Sequence, residues 1–230
     1  MKIFLRITAI MIGLLAVVIL STIILTPWMD QWGATEAEVA AAFPGDGFVS
    51  EPAGIVNRAI TIRATPEQVF PWLLQLGADR GGFYSYTIIE GLIGCPIVNA
   101  DRIHPEWQAL QAGDEVNMCT GESAPPPYIV AEIIPGQALV LGHAENGQWV
   151  ETWQFILIPY ADGTTRLLLR TRTTLTEGLW ALIHPVVFLM ERGLLQGVRE
   201  RAESTDPASL PPSSTPTPEI FNPLQPSPTP

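Results

Sequence analysis

The chain has 230 residues, 47% hydrophobic and 15% charged, and its 12 basic against 23 acidic side chains leave a formal net charge of −11. With a pI near 4.6 it lacks the clustered positive charge that nucleic acids and anionic membrane surfaces require, so neither is an expected partner. The mean hydropathy of +0.24 comes from one segment near the N-terminus, and the remainder has the near-neutral hydropathy and apolar supply of a single folded core.

That segment is Ile7–Leu25, an uncharged run long enough as a helix to cross a bilayer. Lys2 and Arg6 precede it and Asp30, Glu36 and Glu38 follow it. The positive-inside rule then places the N-terminus in the cytoplasm and the remainder outside. A cleaved signal peptide shares the basic start, but the apolar run is too long for one and no small-x-small site follows Leu25. The expectation is therefore an uncleaved single-pass anchor over residues 1–29, stopped at Pro27.

Residues 30–54 read as a juxtamembrane helix and linker, with Thr35 and Glu38 spaced as a capping box and a stop at Pro44-Gly45. Ile55–Arg63 alternates as a strand, and Thr65-Pro66-Glu67 opens a helix that runs to Gly77. A glycine-rich loop and a short helix near Ile88–Ile93 follow. Strands are expected at Glu115–Cys119, Tyr128–Ile134, Ala138–His143, Gln148–Pro159 and Thr164–Leu175, the later ones separated by Pro135-Gly136, Asn146-Gly147 and Asp162-Gly163. A closing helix is capped at Thr174 or Thr176, broken at Pro185, and carries Val187, Met190, Leu194 and Val198 along one face to about Glu203. Nine of the 27 residues from Ser204 to Pro230 are Pro, which reads as a disordered tail, either a dispensable terminus or an extracytoplasmic spacer. The folded part, residues 55–203, is thus an α+β domain in which a curved antiparallel sheet wraps a long C-terminal helix, and a pocket is expected between them.

The order of these elements is joined by particular strings: Arg58-Ala-Ile-Thr-Ile, Thr65-Pro66-Glu67 before Phe70-Pro71-Trp72, Asp79-Arg-Gly-Gly-Phe-Tyr-Ser-Tyr86, Asn99-Ala-Asp-Arg-Ile-His-Pro-Glu-Trp107, Thr165-Arg166-Leu167 and Met190-Glu191. Together they resemble the START-like, or SRPBCC, superfamily of helix-grip proteins, in particular its bacterial branch with an N-terminal membrane helix. The resemblance covers about Ile55–Glu203. It implies a helix-grip fold whose cavity holds a lipid, sterol, polyketide or other apolar molecule, and in some members a cyclase or dehydratase activity. No cofactor is expected.

Within the first long string, Arg80 would offer a planar cation for a carboxylate or phosphate, with Tyr84 and Tyr86 beside it. In the alternative, Asp79 and Arg80 pair with the second string and the aromatics are core. In that second string, His104 with Asp101 or Glu106 would make a proton-transfer pair. Against this stands a loop pinned by an ion pair of Asp101 with Arg80 or Arg102. Alternation along Gln148–Pro159 puts Trp149, Glu151, Trp153 and Phe155 on one face. Glu151 then lies either in an apolar pocket with a raised pKa or at a strand end in water. Arg166, Arg170 and Arg172 share a face taken as solvated. Cys95 and Cys119, the only cysteines, form a disulfide if the domain is extracytoplasmic, or are two buried thiols.

His104, His143 and His184 have no metal-ligand spacing, and neither a nucleophile elbow nor a phosphate-binding or dinucleotide-binding glycine motif is present, so no metal is expected. The leading expectation is a membrane-anchored protein that binds an apolar or amphipathic, lipid-like molecule, with Arg80, Tyr84, Tyr86, Arg102, Trp107, Trp153, Val187, Met190 and Leu194 as the ligand-binding set. The alternatives are a cyclase- or dehydratase-type enzyme using His104, Asp101 and Glu151 for proton transfer, and a non-catalytic envelope scaffold.

Overall fold

The computed structural model describes residues 2–121, 124–175 and 180–210; a few side chains within these spans, among them Leu14–Ala16, Val18 and Trp180–Leu182, are outside the description. The tail beyond Leu210 and the expected cap at Thr176 also lie outside the described residues.

Lys2–Asp30 is one helix, α1. It passes through Pro27, which was expected to end it: a single proline removes one backbone bond, and the helix resumes for three residues to Asp30. Among the described residues no helix is long and apolar enough to cross a membrane, and the expected span includes Leu14–Ala16 and Val18, whose side chains are not described.

After α1 the chain forms α2 (Glu36–Ala40), whose capping box is present as expected: Thr35 Oγ1 accepts from the Glu38 backbone N–H while Glu38 accepts from the Thr35 N–H. A 3-10 turn at Asp46–Val49 then leads into β1 (Gly54–Ile62) and α3 (Pro66–Leu74). Next come α4 (Thr87–Leu92) and the strands β2 (Glu115–Val116), β3 (Tyr128–Ile134), β4 (Ala138–Glu145), β5 (Gln148–Pro159) and β6 (Thr165–Thr173), and α5 (Trp180–Ser204) closes the domain. The six strands form one antiparallel sheet in the order β1-β6-β5-β4-β3-β2, so the first strand pairs with the last. Pro185 does not break α5, contrary to expectation. As at Pro27, a single proline removes one backbone hydrogen bond, and the helix continues past it to Ser204.

The sheet has two covered faces. On the inner face Ile60, Ile62, Phe155, Leu157, Leu167 and Leu169 pack with Val69, Phe70, Leu73 and Leu76 of α3 and its end and with Leu194, Leu195, Val198 and Ala202 of α5. The space expected to be a pocket between sheet and α5 is therefore filled along this half of the helix. The reason is size: Phe83 and Trp153 reach into it and join the same core.

The outer face is covered by the N-terminal arm, residues 31–53, and here the arginine stripe departs from expectation. Arg170 is 2% exposed, not solvated. It donates to Asn57 Oδ1, Asp46 Oδ2 and the carbonyls of Ala41 and Val39, and lies over the Phe43 ring. Arg166 binds Glu38 and the Gly33 carbonyl, and Arg172 the Val49 carbonyl. Burial raises the Glu38 pKa, but the bonds from Arg166 and Thr35 outweigh it and hold the carboxyl below its usual value. The arm's own carbonyls give the arginines the acceptors that water would otherwise supply.

α5 carries two glycines where another segment crosses it closely. A Cβ at Gly193 would meet Ser85 Oγ at 2.7 Å and the Tyr86 ring at 2.8 Å, and one at Gly197 would enter the Tyr84 backbone, with Tyr84 Cβ at 2.6 Å. Gly197→Ala should therefore destabilise the domain by about 1–3 kcal/mol through overpacking, despite the better helix propensity of Ala. Gly91→Ala in α4 meets nothing within 4 Å and should be neutral or slightly stabilising. Urea unfolding of the two variants side by side checks this.

Candidate functional site

Three polar assemblies and two surface hollows contain nearly all of the residues expected to act. The first assembly is the knot formed by the two long loop strings. Gly81 donates from its N–H to the Gln75 carbonyl, and a Cβ there would meet that oxygen at 2.6 Å. Asn99 Oδ1 accepts from the N–H groups of Phe83 and Tyr84, which holds Tyr84 at φ +55°. The Tyr84 hydroxyl donates to the Trp72 carbonyl, and burial pushes its phenol well above the usual pKa. Gln75, fully buried, donates to the Arg102 carbonyl and accepts from the His104 N–H. No sequence signal marks Gln75, because a glutamine at a helix end belongs to no motif.

Arg80 donates to the Trp107 carbonyl, and burial lowers its pKa against the pull of Asp79 and Asp114. Asp79 accepts from Asn117. Neither Arg80 nor Arg102 pairs with Asp101: both Asp101 and Arg102 are exposed, and the expected pinning ion pair is absent among the described residues. The pin is Asn99 and Gln75, which need only the loop's own backbone. His104 Nδ1 lies 3.1 Å from Glu106 Oε1, and its ring lies tilted against Trp107 with centroids 4.2 Å apart. The exposed Glu106 is held below its usual pKa by its own backbone N–H and by His104. Arg80, Glu106 and Trp107 border a hollow of about 310 Å³ with Leu110, Asp114 and Glu115. A second hollow, about 260 Å³, lies between α5 and Tyr84–Tyr86, with Asn99, Gln196, Glu200 and Arg201 at its walls.

The second assembly is on the inner face of the sheet. At the rung of β4 and β5 where His143 pairs with Glu151, the Tyr128 hydroxyl donates to Glu151 Oε2 at 2.9 Å, and His143 Nδ1 lies 3.6 Å from the same oxygen. The rings of Tyr128 and His143 stack at 3.9 Å. Glu151 is thus inside the grip, with its side chain 14% exposed. Burial, then the neighbouring Glu151 charge, drives the Tyr128 pKa well up, so the phenol keeps its proton and remains a donor. One part of the expected alternation fails here. His143 pairs with Glu151 but Ala144 with Trp149, so Val150 bulges and Trp149 turns to the outer face, against Phe48. Among the described residues no contact joins His104 or Asp101 to Glu151, so the three proposed proton-transfer groups are not brought together.

The third assembly is the most deeply buried. Arg58, 1% exposed on the inner face of β1, forms an ion pair with Glu191 of α5, donates from Nε to the Met29 carbonyl at 2.8 Å, and lies 3.9 Å from Asp30 at the end of α1. Burial lowers its pKa to about 10, with Asp30 opposing the shift. Glu191 also accepts from Trp153 Nε1 at 3.0 Å, His184 Nε2 lies 2.7 Å from Asp30 Oδ1, and Phe188 packs beneath the guanidinium. The expected ligand contacts on α5 divide accordingly. Leu194 and Trp153 are core, the Met190 carbonyl accepts from Ser85, and Val187 is half-buried.

Cys95 and Cys119 form a disulfide with Cα atoms 5.2 Å apart, which ties the loop after α4 to the loop after β2. Beside it, Glu90 of α4 is 2% exposed, neither carboxyl oxygen has a hydrogen-bond partner among the described residues, and burial raises its pKa.

No protein-family profile matches the chain, and no curated protein matches it either. Similar solved structures include the Aha1 dimer of Colwellia psychrerythraea, 17% identical over 66% of this chain and 97% of that one, TM-score 0.42. A Rhodobacter sphaeroides protein is 14% identical over 66% and 93%, TM-score 0.44. A Mesorhizobium loti protein is 14% identical over 66% and 99%, TM-score 0.41. At these values the likeness says nothing of activity. The helix-grip description rests on this chain's own strand order and on the packing of α5 against the inner face.

Two outcomes test the electrostatics. Glu191→Ala should cost about 3–5 kcal/mol in urea unfolding, because it leaves a buried guanidinium without its main partner, whereas Arg58→Met combined with Glu191→Leu should recover most of that loss. Glu90 holds its proton to higher pH in the native state than when unfolded. The stability this contributes is complete below the ordinary value of 4.5 and declines as pH rises through the raised native value. Glu90→Gln should therefore unfold at a higher temperature than the parent at neutral pH, and the difference should close as pH falls to about 4.5.

Proposed function

We propose that this is a membrane-anchored binding protein for an amphipathic, lipid-like small molecule, with α1 as the anchor and the inner face of the sheet at Tyr128, His143 and Glu151 as the contact for the ligand's polar end. The observation that carries the ligand reading is this cluster: a carboxylate, a protonated phenol and an imidazole on one rung beside the Trp153 ring, which lies 5.8 Å from Tyr128. A hydroxyl or amine could donate to Glu151 while accepting from His143.

The anchor reading is supported by the uncharged run Ile7–Leu25 and by side chains such as Phe4, Ile10, Met11, Ile12, Val17, Ile23 and Ile24, all more than half exposed. A bilayer removes that apolar surface from water, an effect of about 1.5–3 kcal/mol for each large side chain fully buried. Lys2 and Arg6 ahead of the run favour a cytoplasmic N-terminus and an extracytoplasmic domain. The Cys95–Cys119 bond fits the same side, because disulfides persist in oxidising compartments.

The full chain, purified in detergent and analysed by mass spectrometry of its lipid extract, should retain a discrete amphipathic species. A fluorescent fatty-acid analogue should bind it saturably. Glu151→Ala and Tyr128→Phe should each weaken that binding by about tenfold, or 1.4 kcal/mol, with the fold intact by circular dichroism. An empty extract together with non-saturable probe binding overturns the reading.

A further inference from the structure

The short helix α4 is inside out. Its only charged residue, Glu90, is 2% exposed, while Ile88 is 78% and Leu92 81% exposed. Ile93 and Val98, just beyond the helix, are 66% and 82% exposed. From Tyr86 to Asn99 the chain carries no charge but Glu90, so the whole excursion presents an uncharged, largely aliphatic surface. In a helix that faces water the carboxylate would be outside and the aliphatics within. The segment is also fixed in place: Ser85 Oγ donates to the Met190 carbonyl, Tyr86 packs on Gly193, and the disulfide holds Cys95. A braced apolar surface with its charge turned inward has the form of a docking element.

One helix braces both this surface and the end of α1. α5 holds the end of α1 through His184 to Asp30 at 2.7 Å and through Phe188 against Trp28, with ring centroids 5.3 Å apart. The same helix holds the start of α4 at Gly193, about 13 Å further along its axis. Ile183 and Val186, on the stretch of α5 that leads to Phe188, are also exposed. α5 thus carries both the end of α1 and the start of α4, with exposed apolar side chains at each.

We propose that α4 and the loop to Val98 dip into the interfacial layer of the same bilayer that holds α1, as a second membrane contact that sets the domain's orientation. This rests on the anchor reading of α1. The contact is hydrophobic, not electrostatic, which suits an acidic domain without a basic patch: entry of aliphatics requires no anionic lipid.

The test uses the full chain in nanodiscs of phosphatidylcholine containing a phospholipid with a diazirine on its acyl chain. After illumination and proteolysis, lipid adducts should appear in peptides from α1 and also in the peptide that contains residues 87–98. Ile88→Ser/Leu92→Ser/Ile93→Ser should remove most adducts from that peptide and leave those of α1 unchanged; Leu92→Ser alone gives a partial loss if the triple variant does not fold. Adducts in α1 but none at 87–98 overturn the second contact and leave the anchor standing. Adducts in neither overturn both. Labelling of 87–98 that the serine variants do not reduce also overturns the inference, because it would then be independent of the aliphatic side chains.

Discussion

A single buried guanidinium holds three parts of this molecule in register. Arg58 projects from the edge strand β1 into the inner face, where it meets Glu191 of α5 and the Met29 carbonyl and Asp30 of α1, with Phe188 beneath it. Two charges taken out of water are tolerated only when their remaining hydrogen-bonding capacity is met. Here the carbonyl of α1 and the indole of Trp153 supply part of it. The seating is therefore mutual: inside the closed β1–α5 pair Arg58 takes the Met29 carbonyl as an acceptor, and the end of α1 finds its polar partners on β1 and α5. α1 is not a separable tether on a finished domain. Its last turn is part of the domain's interior.

The outer face repeats the device with a different geometry. Arg166, Arg170 and Arg172 stand two or four residues apart on β6, so they share one face, and the arm from Gly33 to Ser50 supplies carbonyls and carboxylates to all three. The arm is thus held mainly by its main chain, with Phe43 the principal apolar contribution, packed with Ile156, Ile158 and Leu168. The two faces then serve different ends. The outer one binds the molecule's own N-terminal segment, and the inner one is packed tightly at α3 and the C-terminal half of α5 but becomes polar at the rung of Glu151 and His143.

Local chemistry made most of the fold legible in the sequence. The Thr35–Glu38 capping box, the Asn146-Gly147 turn and the period-2 strands each depend on a few adjacent residues, and each is present. The pairing of Cys95 with Cys119 was one of two alternatives, and it is the one observed. What was not legible depends on partners distant in sequence. An arginine on a strand face looks solvated unless it is known that a segment some 120 residues earlier folds over it, as residues 39–46 do over Arg170. Arg58 could have been suspected, because it shares the phase of Ile60 and Ile62, yet its partner Glu191 lies more than 130 residues away. The bulge at Val150 shifts the alternation by one residue and moves Trp149 to the other face, a change that no propensity records. The expected pocket failed for a reason of volume, since Phe83 and Trp153 are large enough to fill it.

The pairing of the first strand with the last has a consequence in time. Gly54 lies opposite Thr173, and between them runs every other strand of the sheet. A chain that emerges from its N-terminus must therefore keep β1, with Arg58 on it, waiting while more than a hundred further residues arrive, and only then can both edges of β6 find their neighbours. Such long-range closure slows folding and leaves an unpaired strand edge exposed meanwhile. The length of that exposed interval is thus fixed by topology, and it ends when β6 and α5 lock the earliest strand into place.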